Sequence, residues 1–393
     1  MASTIPELPT FDLSPSTLLD IATDLVNQVQ QAANDLSNNV SPQNATFGNA
    51  VRPLADIDNE VKGKVQYLAL FQAVSPSPEM PVEDAEYFPA EITIQRMLKT
   101  FETIFSLSIT PIAVTKEQVW HSDVRVFSVR DEESAFLGFL YLDIYPREGK
   151  YNHAANFNIY PPYFSVGEQK QPVATALVCN VSQSSSDKPA LLHHRELITI
   201  LHELGHGIHD LLGRSKYAIF HGHRTVADFV EAPSQLLEYW CWVPECLQML
   251  SCHYSYVSDK QWLYTIAQPP KEIPEDLVHS LIAAKGVNQG ILTLRQLAFS
   301  KFDMQIHCPS SHNVIKSMRT GDVYNSLLQK MTLLQGPENR VDWGNGHVTT
   351  SHYMWGQEAN CYSYLYTRIL AADIWLSNFC SNPMSRDVSD TEK

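Results

Sequence analysis

One short segment limits the fold of this 393-residue chain more than any other feature. Residues 197–213 read LITILHELGHGIHDLLG, with apolar residues at helical spacing on both sides of a central HELGH. Because residues four apart lie on one face of a helix, His202 and His206 can bind one divalent metal ion through their imidazole nitrogens. Eight of the 15 histidines lie between positions 193 and 253. The segment therefore predicts a metal-binding helix in the middle of the chain.

The HExxH spacing is typical of zinc sites that activate a water molecule. We expect Glu203 to lie beside the position of that water. The alternative is that the two histidines are ordinary core or surface residues and that no metal binds. If zinc binds, we expect one ion per chain, because the sequence contains no second group of ligand residues at a suitable spacing.

A catalytic zinc site needs a third protein ligand and an open fourth position. A third histidine in an extended HExxHxxGxxH motif is excluded, because positions 209 and 212 hold His209 and Leu212. The remaining option is a carboxylate from a later helix, and residues 228–240, DFVEAPSQLLEYW, open such a helix. We take Glu231 as the third ligand. Glu238, two turns later, is a competitor on spacing alone and is otherwise expected to be solvated or to support a ligand.

These two segments resemble the thimet oligopeptidase and neurolysin family of zinc metallopeptidases, which has a HEFGH-type motif followed by DFVE. The similarity extends upstream through 120–127 (WHSDVRVF), 137–157 (LGFLYLDIYPREGKYNHAANF) and, more faintly, 47–60 (FGNAVRPLADIDNE). The resemblance implies a zincin-like catalytic core. It also implies that His202, His206 and Glu231 are zinc ligands and that Glu203 is the general base.

The resemblance implies two further catalytic residues that stabilise the tetrahedral intermediate. His352 follows a Gly-rich segment, 336–351, and matches a family histidine, while Tyr364 matches the last of three tyrosines near the substrate. Gln357 and Cys361 occupy the places of the other two tyrosines. In other enzymes, each hydrogen-bond donor to such an intermediate contributes about 2.7–4 kcal/mol. We therefore expect some of this stabilisation to be lost.

The hydrophobic periodicity predicts a mainly helical chain with a small β-sheet, in the α+β class. Two helices are expected over 14–37 and 56–74. A third is expected after a Pro-rich acidic junction at 75–91 and ends near Leu107. From Pro189 onward the periodicity is again helical. Strands are expected over 124–129, 137–145 and 173–181.

Two regions are expected along the chain. Residues 1–90 form a shortened N-terminal helical segment with an acidic Pro-rich junction, and residues 91–393 form the catalytic domain. Since the related family has a long helical region where only this junction stands, we expect most of one lobe to be missing and the cleft to be wider.

The composition excludes several classes of protein. With 44% hydrophobic and 18% charged residues, the chain is not disordered, and a net charge of −15 without a basic run disfavours nucleic acid as a partner. No targeting segment is recognised and no apolar stretch is long enough to span a membrane, so we expect a cytoplasmic protein without a membrane partner. The seven scattered cysteines contain no CxxC pair and are expected to be reduced thiols. The oligomeric state is left open.

The leading hypothesis is a zinc-dependent metallohydrolase that cleaves peptide bonds. The alternative is a zinc enzyme repurposed to a non-peptide small metabolite, with the metal acting as a Lewis acid, since fold does not fix the reaction. A metal-binding relative without turnover is the third possibility. The substrate is accordingly expected to be a peptide or a small molecule.

Overall fold

A computed structural model describes most of the chain, namely residues 15–41, 44–54, 56–57, 84–162, 172–181, 183–184, 188–213, 215–257, 268–286, 288–354 and 356–384. It divides into two compact units, Met1–Val82 and Glu83–Lys393. Most of the helix expected over 56–74, and of the acidic junction after it, lies outside the described residues. In the first unit, α1 spans Pro15–Asn39, and a single π-helical turn spans Phe47–Val51.

The second unit is mainly helical. Its α-helices are α2 Ala90–Phe105, α3 His194–Leu212, α4 Ala227–Val230, α5 Ala232–Leu237, α6 Pro244–Leu250, α7 Glu275–Ala284, α8 Gln289–His307, α9 His312–Ser317, α10 Thr320–Thr332 and α11 Ser363–Ile374. Together with a single small sheet in the described part of the chain, these helices confirm the expected fold class.

The sheet has five strands: β1 Ser108–Ile112, β2 Arg125–Arg130, β3 Phe136–Asp143, β4 Ala155–Tyr160 and β5 Val173–Val178. Their spatial order is β1-β2-β3-β5-β4, with β3 and β5 parallel and the other pairs antiparallel. The three expected strands correspond to β2, β3 and β5. The two that the sequence did not predict, β1 and β4, are the edge strands, and both are largely exposed or half-buried.

The helix α3 packs on the sheet because its apolar residues recur every three or four positions. Leu197, Leu201, Leu204 and Ile208 are all less than 5% exposed. They belong to the main hydrophobic core, to which residues of the sheet, α2 and α6 also contribute. The helix is thereby held against β3, β4 and β5.

The helix α5 approaches α3 closely at Gly205. A Cβ atom at this position would lie only 2.6 Å from Cα of Ser234 on α5, a distance that real Cβ atoms do not show. The glycine of HELGH thus lets the two helix backbones pack together. On its other side α5 contacts α11.

A second, smaller core lies among α8, α10 and the segment before α11. It contains the buried residues Phe302, Tyr324, Tyr353 and Cys361. None of the helices that the structure describes is both long and apolar enough to cross a bilayer.

Candidate metal centre

Three side chains converge on one point between α3 and α5. The Nε2 atoms of His202 and His206 each lie 3.2 Å from the same oxygen, Oε2 of Glu231. The two imidazoles project from successive turns of α3, with ring centroids 5.1 Å apart, and Glu231 lies at the junction of α4 and α5. Among the described residues, this is the one group of three or more potential ligands close enough to share a metal ion.

The donor atoms fit a zinc ion in both chemistry and spacing. Two imidazole nitrogens and one carboxylate oxygen are a common ligand set for catalytic zinc. Ligand atoms at tetrahedral angles and at about 2.0–2.1 Å from zinc stand roughly 3.3 Å apart, close to the 3.2 Å that separates each imidazole nitrogen from Glu231 here. All three side chains are mostly buried.

The carboxylate of Glu238 contacts His202 and does not belong to the cluster. Its Oε1 atom lies 2.8 Å from Nδ1 of His202, on the opposite side of the ring from Glu231. A proton on Nδ1 that is donated to Glu238 leaves the lone pair of Nε2 directed at the cluster. Of the two carboxylates that the sequence offered, the structure therefore groups Glu231, not Glu238, with the histidines.

His206 lacks a comparable support. Its Nδ1 atom is buried and has no hydrogen-bond partner among the residues that the structure describes. Besides the ring of His202, that of His223 is also close to His206, with centroids 6.0 Å apart.

The charges of the cluster shift one another's pKa in opposite directions. Burial alone would raise the pKa of Glu231, but its hydrogen bonds to His202 and His206 outweigh burial and hold that pKa well below its usual range. For His202, burial would lower the pKa, but hydrogen bonds to Glu231 and Glu238 raise it well above the ordinary value. Without metal, the cluster therefore favours an ion pair between a protonated His202 and an ionised Glu231. A bound metal cation can take the place of that proton.

Glu203 lies beside the cluster. Burial raises the pKa of its carboxyl group, and the charge of Glu231 raises it further, while His202, His206 and a hydrogen bond from the backbone N–H of Asn156 oppose the shift. Asn156 belongs to the edge strand β4. A carboxylate whose pKa is raised towards neutrality is suited to accept a proton from water.

His352 and Tyr364 lie next to each other. Their rings meet edge to face with centroids 5.9 Å apart; His352 is exposed, whereas Tyr364, in the first turn of α11, is half-buried. Burial raises the pKa of Tyr364, and the charges of Glu231 and Glu203 raise it further. The carbonyl of Tyr364 accepts a hydrogen bond from Gln235, one turn after Glu231 on α5, and α11 packs on α5, so Tyr364 and the adjacent His352 lie on the α11 side of the candidate cluster.

The two positions expected to replace substrate-facing tyrosines differ from each other. Gln357 is half-buried, but Cys361 is only 3% exposed and packs in the small core with Phe302, Tyr324 and Tyr353. The side chain of Cys361 is therefore part of the protein interior and does not occupy a place in the cleft.

Three other histidines near the cluster have structural partners. His209 packs edge to face on Phe229, and burial lowers its pKa to about 4. His221 is fully buried, with Nε2 3.2 Å from the carbonyl oxygen of Gly213. His223 lies 3.0 Å from the buried carboxylate of Asp210, which Thr175 of β5 also contacts. The Asp210–His223 pair and its position beside His206 could not be predicted from sequence spacing.

Two contacts of the candidate site have no counterpart in the sequence predictions. The hydroxyl of Tyr362 donates a hydrogen bond to Asp228 of α4. The side-chain amide of Gln235, one turn after Glu231, reaches across to α11. The sequence contained one signal for the role of Gln235. It lies four residues after Glu231, and residues four apart share a helix face.

Comparison with known proteins gives a consistent result. Residues 16–392 match the sequence profile of Peptidase family M3. The chain is 39% identical over 309 residues to saccharolysin of Saccharomyces cerevisiae, a match that covers 77% of this chain and 41% of saccharolysin. It is 34% identical over 293 residues to the thimet-like oligopeptidase of Dictyostelium discoideum, covering 74% of this chain and 40% of that protein.

A bacterial relative matches a longer stretch. Oligopeptidase A of Salmonella typhimurium is 31% identical over 366 residues, which cover 92% of this chain and 49% of the relative. The chain thus spans less than half the length of each of these three curated relatives.

Proposed function

Because the chain belongs to peptidase family M3, as the resemblance of its motifs implied, we propose that it is a zinc-dependent peptidase that hydrolyses peptide bonds. We propose one zinc ion per chain, held by His202, His206 and Glu231. The observation that carries the proposal is the convergence of both imidazole nitrogens on one oxygen of Glu231, next to the carboxylate of Glu203.

The metal would supply Lewis acidity, lowering the pKa of a bound water and polarising the scissile carbonyl. Glu203 accepts the proton of the attacking water and passes it to the leaving nitrogen. The backbone N–H of Asn156 lies near the Glu203 carboxylate and favours its ionised form. The role of Glu203 thus follows from its burial and its neighbours.

His352 and Tyr364 are proposed to donate hydrogen bonds to the oxygen that gains negative charge. The phenol keeps its proton at neutral pH, since burial and the neighbouring carboxylates raise its pKa. A protonated phenol is a donor, and a donor fixed in a buried site is worth more than one in water. The exposed imidazole of His352 lies on the solvent side of this pair.

Peptide substrates are favoured over the small-metabolite alternative, because the matching profile is that of a peptidase family and two of the three compared relatives are named as oligopeptidases. The cytoplasmic location stays a prediction from the sequence.

The test uses the zinc-loaded chain and its Glu203→Gln variant with a panel of quenched fluorescent peptides. Glutamine fills the same volume but cannot accept the proton, so we expect the variant to retain zinc and its melting temperature while turnover falls by about 10²–10⁴-fold. Equal turnover by the two proteins would contradict the role of Glu203. Absence of peptide cleavage by the zinc-loaded wild type would contradict the proposed function.

A further inference from the structure

The side chain of Gln235 joins the helix next to a metal ligand to the helix that carries Tyr364. Its Nε2 atom donates a hydrogen bond to the carbonyl oxygen of Tyr364 at 3.1 Å, and its Oε1 atom accepts one from the hydroxyl of Thr367 at 3.0 Å. We propose that Gln235 is a positioning residue that fixes the place of Tyr364 relative to the metal ligands. This inference rests on the proposed function.

On the α5 side, Gln235 is tied to Glu231 by the backbone. The N–H of Gln235 donates to the carbonyl oxygen of Glu231 at 2.9 Å, closing one helical turn. The hydroxyl of Ser234, between them, lies 3.0 Å from both the carbonyl oxygen and Oε2 of Glu231. Because α5 is also packed tightly on Gly205 of α3, the amide of Gln235 has a fixed position relative to all three ligands.

On the α11 side, the amide contacts two successive turns. The carbonyl of Tyr364 belongs to the first turn, and Thr367 lies one turn later, with its hydroxyl also 2.7 Å from the carbonyl oxygen of Ser363. Donor and acceptor ends of one amide are therefore both used on the same helix. This pattern also fixes the orientation of the amide, since the reversed orientation would place two oxygens against each other.

Burial makes this contact specific. Gln235 is 6% exposed and Thr367 is fully buried, so neither can exchange its partner for water. A buried polar group left without a partner lowers stability, because its lost hydrogen bond is not replaced by water. A rotation or slide of α11 against α5 would break both hydrogen bonds, and the helix is therefore held in one register.

The consequence concerns Tyr364 more than the metal. Among the described residues, the side-chain amide of Gln235 forms hydrogen bonds with α11 and not with His202 or His206. Loss of the amide should therefore change where the phenol stands during the reaction while the three ligands stay in place. Displacement of a catalytic group by about 1 Å can cost up to 10²-fold in rate.

The main variant is Gln235→Met, which keeps the volume and removes both hydrogen bonds. Thr367→Val is a second, milder variant that removes only the hydroxyl. The matched control is Asn325→Leu, because Asn325 is 1% exposed and its amide likewise binds backbone carbonyls, those of Val341 and Trp343, from the helix α10. The control thus measures how much the loss of a buried amide, by itself, changes stability and activity.

We expect Gln235→Met to lower kcat by about tenfold with KM changed by less than about threefold, and Thr367→Val to lower it by about threefold. Zinc affinity, measured by competition with a chromophoric chelator, should stay within about threefold of wild type. In a Tyr364→Phe background, Gln235→Met should lower kcat by no more than about twofold further, because the group that it positions is absent. Asn325→Leu should leave kcat unchanged.

A readout that does not depend on turnover separates this inference from the proposed function. In metal-free protein labelled with 3-fluorotyrosine, the 19F resonance of Tyr364, assigned by its loss in Tyr364→Phe, should shift in Gln235→Met and not in Asn325→Leu. An unshifted resonance, an additive effect on kcat in the Tyr364→Phe background, or a parallel fall in zinc affinity would each overturn the role of Gln235. If the wild type cleaves no peptide, the proposed function fails. The 19F shift still tests whether Gln235 fixes the position of the Tyr364 phenol.

Discussion

The two sides of the candidate site are built in different ways. The metal side consists of His202, His206 and Glu231, which come from α3 and the adjoining start of α5 and converge within 3.2 Å of one oxygen. The opposite side consists of His352 and Tyr364, which depend on contacts from other elements for their place. Short-range helical spacing thus positions the two histidines of the first side, and the close packing of α5 on α3 brings Glu231 to them. Buried polar contacts between distant parts of the chain position the second side.

The sharpest test of the metal side compares its two carboxylates. We expect Glu231→Gln to weaken zinc binding by more than about 100-fold, because a ligand and its charge are lost. Glu238→Gln should weaken binding by about 10-fold, as is typical for a group that only orients a ligand. Competition with a chromophoric chelator measures both constants. Loss of zinc in the Glu238 variant with retention in the Glu231 variant would reverse the assignment.

The close approach of α3 and α5 can be broken at one atom. In Gly205→Ala the new methyl group would lie 2.6 Å from Cα of Ser234, so the helices must move apart. We expect the free energy of unfolding to fall by about 1–3 kcal/mol and zinc affinity to fall with it. Gly290→Ala is the control, since nothing lies within 4 Å of a Cβ there. Equal melting temperatures for the two variants, in thermal unfolding, would argue against the tight contact.

The opposite side can be probed at the two positions without tyrosine. Cys361→Tyr should lower the free energy of unfolding by about 1–3 kcal/mol, because the side chain must enter a filled core. Gln357→Tyr should change stability little and raise any peptide cleavage. Denaturant unfolding and the peptide assay measure these effects, with Cys308→Tyr at an exposed cysteine as control. A stable Cys361→Tyr protein with increased turnover would show that position 361 faces the cleft after all.

The pH dependence of zinc binding gives the smallest expected effect. The pKa of His202 is raised in the metal-free cluster, so at neutral pH a proton must leave before zinc binds. Zinc affinity should therefore rise with pH, by at most about tenfold per pH unit for one proton. Glu231, with its lowered pKa, is already ionised and adds no competing proton. Calorimetry at several pH values measures the slope, and an affinity independent of pH would contradict the ion-paired cluster.

The sequence predicted most of the metal side, because a helical period and a fixed motif spacing determine which side chains share a face. It predicted the central strands because they are short runs rich in β-branched and aromatic residues between turns, and β5 is buried at every position. It did not predict β4, whose residues are mostly polar or exposed at the sheet edge. It also missed the direction of Cys361, since one residue in an irregular segment has no period that reveals the face it occupies.

The partners of Gln235 and of Asp210 could not be found for a related reason. Gln235 contacts residues more than 120 positions later, and Asp210 contacts both Thr175 and His223. Such pairings depend on the register between elements, which is set by packing of the whole unit. A polar side chain could form a hydrogen bond with many residues in the sequence, and only the packed fold determines which of them is its partner.

The strand order has a consequence for the time course of folding. Along the chain β4 precedes β5, yet among the described strands β4 pairs with β5, which lies between β4 and β3. The residues of β4 therefore have no partner in the sheet until the later strand, β5, has formed. Since Asn156 of β4 lies near Glu203, the surroundings of that carboxylate are complete only after β5 is in place.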